Sequence, residues 1–217
     1  MTARLDQATI ALLGVLAYGE LTAFERLASD AQLAPSIADK HALASMAAAE
    51  FEHYRRLHDH LISSGVEPEK AMAPFVRPLD EFHDSTPPND WLEGLIKAYV
   101  GDGLASDFYR EVAAFVNDNA TRELILDVLA DSGQASFAVE KVSAAIAADP
   151  AVAGRLALWA RRLVGEALIQ AQRVAVEHDA LTELLVGGSG DLAGIGRLLT
   201  RLTDNHTARM QTLGLQP

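Results

Sequence analysis

A chain of 217 residues with 49% hydrophobic side chains is long enough to bury a sizeable core. It has no cysteine, which excludes disulfides, thiolate zinc sites and cysteine nucleophiles, so any metal must be held by oxygen and imidazole nitrogen. The net charge of −12 opposes binding to a phosphate backbone, and abundant alanine and leucine beside only 6% aromatics favour helix over sheet.

The opening residues, MTARLDQATI, lack the charged segment, apolar run and small-residue cleavage site of a signal peptide. No stretch reads as the roughly 18 uncharged apolar residues of a spanning helix. The expectation is a soluble, cytoplasmic protein with no membrane partner, formed as one domain over residues 1–217.

A first helix is expected over about Leu5 to Asp30, with Leu13, Leu16, Phe24 and Leu27 on its apolar stripe. Glu20 lies on that stripe, four residues from both Leu16 and Phe24, whereas Glu25 faces elsewhere. Pro35 stops this helix and suits the start of the next. The second helix, about Ser36 to Ser63, ends before Gly65. It carries Glu50 and His53, three apart and on the side of Met46, Ala47, Tyr54, Leu57 and Leu61. A carboxylate and an imidazole on a face meant for burial need compensation, from a metal ion or from a local ion pair. His41, His58 and His60 read as surface histidines.

Residues 64–89 contain several prolines and show no sustained period, so they read as a long connection with at most a helical turn near Leu79–His83. Its task would be to carry the chain from one end of a bundle to the other. A third helix should begin at Pro88-Asn89-Asp90 and run to about Asp118. Asp102 sits in its stripe between Tyr99 and Ala105, flanked by Gly101 and Gly103. Two glycines in mid-helix, each costing about 1 kcal/mol relative to alanine, imply close packing, a bulge or room for a small ligand.

A fourth helix is expected from about Ala120 to Ala148, with Asp131 and Gln134 three apart in its stripe and Asp127 one turn earlier. A fifth, about Pro150 to His178, and a sixth, about Asp191 to Leu213, read as covering helices separated by the loop 186–190. On the fifth, Glu166 and Gln170 are placed to meet the site from outside. Arg155, Arg161, Arg162 and Arg173 form the basic cluster of that helix.

The four inner helices thus offer Glu20, then Glu50xxHis53, then Asp102, then Asp131xxGln134, with the long connection between the second and third. Ferritin-like bundles have this order: two helices each give a Glu, two each give Glu-x-x-His, and one connection is long. The expected fold is therefore all-α: a ferritin-like four-helix bundle over about 5–148 with a crossover between helices two and three, plus two C-terminal covering helices over about 150–213.

Within that superfamily the chain resembles the non-haem iron hydroxylases of isopentenyl-modified adenosine in tRNA, and the actinobacterial proteins grouped with them. Asp102xxxxAsp107 is similar to a pair of acids on that family's third helix, and Ala130-Asp131-Ser132-Gly133-Gln134 is similar to its Ser-Glu-x-x-His segment. The likeness covers roughly residues 10 to 145. It implies a metal site of Glu20, Glu50, His53, Asp102, Asp131 and Gln134 holding two iron ions, or manganese. It also implies a di-iron hydroxylase or monooxygenase that uses dioxygen and an electron donor.

This chain departs from the family's pattern at three positions. Asp stands for Glu at 102 and 131, and Gln134 stands where a histidine is implied; a neutral amide is a weak iron ligand. The glycines at 101, 103 and 133 are expected to let the helices approach and make up for the shorter acids. The alternative is a metal-free bundle with a structural or interaction role, in which His53 ion-pairs with Glu50 or Glu20. An iron-storage shell is disfavoured by the extra helices, which suit a homodimer. The charge balance disfavours tRNA as a partner, and Arg161-Arg162 would be the face to meet it.

Overall fold

The computed structural model describes residues 5–130, 133–189 and 192–216, and side chains outside 185–195. Among the described residues there are nine α-helices and no strand. Helix α1 is Gln7–Asp30, started by Asp6, whose carboxylate accepts the Thr9 amide at 2.7 Å. A short 3-10 turn at Ala31–Leu33 leads to α2, Ile37–Ser63, where Ser36 accepts the Asp39 amide and gives its hydroxyl proton to the Asp39 carboxylate. Gly65 ends α2 with φ 77°, a left-handed conformation that glycine adopts without penalty. Val66 then donates back to the Leu61 carbonyl, closing the helix end.

The connection expected over 64–89 is largely a helix, α3, Pro68–Ser85, which carries Pro74 and Pro78 internally. Each proline removes one backbone donor. The period that compensates is in the sequence: Ala71, Met72, Phe75, Pro78, Leu79 and Phe82 recur at helical spacing, and the first four are buried. Pro68 occupies the first turn, where its missing N–H costs nothing. The far end of α3 is closed by Lys97, whose buried ammonium donates to the Thr86 carbonyl at 2.7 Å and lies 5.5 Å from the centre of the Phe82 ring.

Helix α4, Trp91–Ala113, starts at Asp90, which accepts the Glu93 amide, while Glu93 reaches back to the Asn89 amide at 2.8 Å. The single fourth helix expected over 120–148 is broken. Helix α5 is Asn119–Val128 and α6 is Gln134–Ala148, and Gly133, at φ 91°, precedes α6. The left-handed glycine is the local reason for the break. Helix α7 is Val152–Glu177, α8 is Asp179–Ser189 and α9 is Leu192–Thr212. The glycine-rich loop expected at 186–190 is thus mostly helical, since α8 runs to Ser189.

Helix α1 packs most extensively on α2, and α3 lies across α1 and α7; α4 is surrounded by α6, α7 and α9. Expected as a cover, α7 instead contributes Leu156, Trp159, Ala160 and Leu163 to the buried interior. The apolar interior has two parts. One gathers Leu12, Leu13, Leu16, Leu57, Leu61, Phe75, Val112 and Ile125. The other gathers Leu27, Leu43, Ala47, Ile96, Val100, Val142, Leu156 and Met210. Residues 7–33 are, by length and composition, apolar enough to cross a membrane, contrary to the sequence reading. Here Leu12, Leu13, Leu16 and Ala17 of that stretch are enclosed by the other helices.

The approach of α1 to α3 depends on Gly14. A Cβ there would stand 2.2 Å from the Ala71 carbonyl oxygen, a backbone atom that cannot swing aside. At Gly19, five residues on, the nearest atom to such a Cβ is a Leu79 methyl at 4.0 Å. Gly14→Ala is therefore expected to lower stability by about 2 kcal/mol through overpacking, although alanine is the better helix former. Gly19→Ala is expected to be neutral or to gain up to about 1 kcal/mol. Urea denaturation of the two variants side by side checks both signs.

Candidate metal centre

Glu20 on α1 and the Glu50–His53 pair on α2 are brought together as the sequence implies. The Nδ1 atom of His53 lies 3.3 Å from Glu50 Oε2 and 3.5 Å from Glu20 Oε2. One ligand atom from each of the three lies within 4.8 Å of the others, and no other group of three acids or histidines among the described residues does so. All three side chains are largely enclosed, retaining 12%, 10% and 16% of their surface for Glu20, Glu50 and His53.

This cluster lies between the two apolar parts of the interior. Along α1, Glu20 falls after Leu16 and Ala17 of the first part and before Leu27 of the second. Along α2, Glu50 and His53 fall between Ala47 of the second part and Leu57 of the first. Along α4, Asp102 falls between Val100 and Val112 in the same way. Helices α1 and α2 thus bring their polar side chains together where the two apolar parts meet.

Asp102, expected to join the acids, is exposed and is not one of this group of three. Its carboxyl nevertheless lies so deep among protein atoms that burial pushes its pKa well above the usual range, with the charge of Glu50 adding to the rise. Gly101 beside it faces open space, for a Cβ there meets nothing within 4 Å. Gly103 serves a different contact: a Cβ there would press into the Arg209 side chain of α9. Asp131 lies outside the described residues.

Gln134, the first residue of α6, donates its amide N–H to Glu50 Oε1. The break before α6 is what starts a helix at this residue, beside Glu50. Its own side-chain oxygen is buried without a hydrogen-bond partner. Tyr109 of α4 is partly buried against the first part of the core. Its phenol pKa is raised by burial and then by the charge of Glu20, which puts it beside the acids.

Other residues singled out in the sequence lie elsewhere. Asp107 does not join Asp102: it pairs with Arg209 at 2.7 Å and accepts from Asn205 at 3.0 Å, tying α4 to α9. Asp127 pairs with Arg56. His60, read as a surface histidine, is partly buried and bonds Thr121 at 2.8 Å. Glu166 is half-buried, and Gln170 accepts a bond from Arg173 at 3.4 Å, so neither is shown touching the acids. The basic cluster of α7 is spent on internal ties. Arg155 pairs with Asp90 and Glu93, Arg162 donates to the Ser85 carbonyl, Arg173 pairs with Glu81, and Arg161 donates to the Gln216 carbonyl.

The electrostatics of the three groups follow from their contacts. Burial pushes Glu20 well above the carboxylate range against the opposing bond from His53. Burial also acts to raise Glu50, but bonds with His53 and Glu20 outweigh it, so its pKa falls below the usual value. The bonds to Glu20 and then Glu50 raise His53 to about 10. Without a metal, the cluster at neutral pH is a protonated imidazole beside an ionised Glu50, with Glu20 inclined to keep its proton.

The sequence profile of a protein family described as "Ferritin-like domain, actinomycetes" matches residues 3–188. Comparison with curated proteins gives no match.

The raised pKa of His53 fixes the sign of a pH dependence. The stabilisation it brings is complete below its unfolded value near 6.5 and is lost as pH climbs through about 10. In the presence of a chelator, the urea midpoint is expected to fall between these limits. His53→Gln, whose side chain binds no proton, is expected to flatten the decline relative to the unaltered chain.

Proposed function

We propose that this chain, which belongs to the ferritin-like domain family of actinomycetes, binds a redox-active divalent metal between Glu20, Glu50 and His53 and uses it to oxidise a substrate with dioxygen. The observation that carries this reading is the geometry around His53 Nδ1. One ring nitrogen faces two carboxylate oxygens at 3.3 and 3.5 Å. A single N–H cannot point well at both. Both distances also exceed the roughly 2.7–2.9 Å of a charge-assisted hydrogen bond. They suit neighbouring ligands of one ion, since bonds of about 2.0–2.2 Å at right angles separate ligand atoms by about 3 Å. Two carboxylates and a neutral imidazole also balance a divalent charge, and iron or manganese accepts both kinds of ligand.

The protein's own groups then have distinct tasks. Glu20 and Glu50 give up or keep protons as the charge between them changes. Gln134 holds Glu50 through its N–H. Asp102 and Tyr109, whose pKa values are raised by burial and then by the charges of Glu50 and Glu20, respond to the charge that the acids carry. A bound iron or manganese ion would pass electrons from an external donor to dioxygen. Hydroxylation of an unactivated carbon is the finer form of this reading, supported by the likeness of the helix segments to the tRNA hydroxylases. The substrate we favour is not tRNA, because the arginines of α7 are held by internal partners and the net charge is −12.

A metal-free structural role is the second reading. It is favoured by the ability of a protonated His53 to neutralise Glu50 without any ion. The two readings part on titration of chelator-treated protein with Mn(II) and, anaerobically, Fe(II). Metal binding is expected to release at least one proton, so that affinity rises by at least about tenfold per pH unit between about pH 6.5 and 9. Glu50→Ala and His53→Ala are each expected to abolish it. Less than a tenth of an equivalent bound at millimolar metal would leave only the structural role.

A further inference from the structure

The groups around Glu50 fit a single ion better than a pair. We infer that the centre is mononuclear: Glu20, Glu50 through Oε2 and His53 through Nδ1 hold one divalent ion, while Gln134 occupies the other oxygen of Glu50. The inference rests on the reading above that a metal binds here at all, and it concerns how many ions bind.

A two-metal carboxylate site places its ions about 3.5–4 Å apart. A carboxylate that spans such a pair must offer one oxygen to each ion. Glu50 cannot do this as it stands. Its Oε2 faces His53 at 3.3 Å, and its Oε1 accepts the amide N–H of Gln134. An ion bound at Oε1 would displace that bond or meet the positive hydrogens of the NH2 group. Turning the amide over would bring the Gln134 oxygen against the carboxylate, replacing an attraction by a repulsion. Chemistry therefore fixes the amide with its nitrogen toward Glu50, and its oxygen is left buried without a partner.

Among the described residues, ligands for a second ion are also scarce. No second histidine joins the cluster among the described residues. Asp107, the acid expected to accompany Asp102, is committed to Arg209 and Asn205. Among the described residues only Glu20 and Glu50 join His53, and these two carboxylates balance one divalent ion.

The test is a count made on the full chain. Chelator-treated protein is loaded with excess Mn(II), freed of unbound metal and assayed for bound manganese, and its electron paramagnetic resonance spectrum is recorded. One ion per chain, with the spectrum of an isolated Mn(II) ion, is expected. Gln134→His removes the amide N–H and adds a nitrogen ligand, so it should carry the count toward two and produce an exchange-coupled pair. Two ions with a coupled spectrum in the unaltered protein would overturn the inference while leaving metal binding intact. No bound manganese would overturn both together. A Gln134→His protein that folds and still takes one ion would overturn the part assigned to Gln134.

Discussion

The constraint on which this bundle turns is the cost of enclosing two carboxylates and an imidazole between two apolar regions. An isolated ionised group taken from water into such surroundings is penalised by several kcal/mol even after relaxation. Glu20, Glu50 and His53 reduce that penalty only because they face one another: His53 Nδ1 lies within 3.5 Å of an oxygen of each acid. Remove one and the others are left as buried groups of unsatisfied charge. The same layer divides the hydrophobic interior, with Leu16 and Leu57 on one side and Leu27 and Ala47 on the other. A core designed only for stability would be continuous through this level, so the interruption is where the fold gives up apolar burial to house charged groups.

The helices around the layer are held by contacts that leave little freedom of register. Gly14 lets α1 approach the backbone of α3 at Ala71. Lys97 closes the end of α3 from α4, and Trp159 of α7 donates to the Glu93 carbonyl at 3.0 Å, so α3, α4 and α7 are joined at one end. Toward the other end of α4, Arg209 of α9 reaches Asp107 across the space that Gly103 leaves. Such ties set the height of Asp102 relative to Glu50. They also explain why the arginines of α7 form no free basic face.

Much of the centre was legible in sequence because it obeys the helical period. Glu20 lies four residues from two apolar stripe positions, and Glu50 and His53 are three apart on an apolar face, so both elements and their inward direction followed. The fold class followed from the order of acids and the length of the connection. Within that connection, counting prolines concealed a helix whose apolar positions from Ala71 to Phe82 are regular; Pro74 and Pro78 are tolerated because packing replaces the lost backbone bonds. The break before Gln134 was concealed by the opposite error, a period extended across Gly133 as though its backbone were right-handed. The spacing of Asp102 and Asp107 resembles a pair of acids, but the two do not act together. A spacing of five on a helix turns the side chain well away, and the partner that claims it, Arg209, is about a hundred residues distant and invisible to local pattern.

The departure at Gln134 has a physical consequence beyond the loss of a ligand. A histidine there could take either a proton or a metal, whereas the amide takes no proton, is a weak metal ligand and offers Glu50 a permanent N–H. Against its burial, the bonds with His53 and Glu20 lower the Glu50 pKa and the Gln134 N–H adds to them, while the burden of protonation falls on Glu20 and His53. In that state a positive imidazolium and a negative Glu50 cancel beside a neutral Glu20. Exchange of the two protons on His53 and Glu20 for one divalent ion leaves the sum of charges unchanged. The enclosed layer would then pass between its proton-filled and metal-filled forms without carrying net charge in either, which is the condition a low-dielectric interior imposes on any group allowed to remain there.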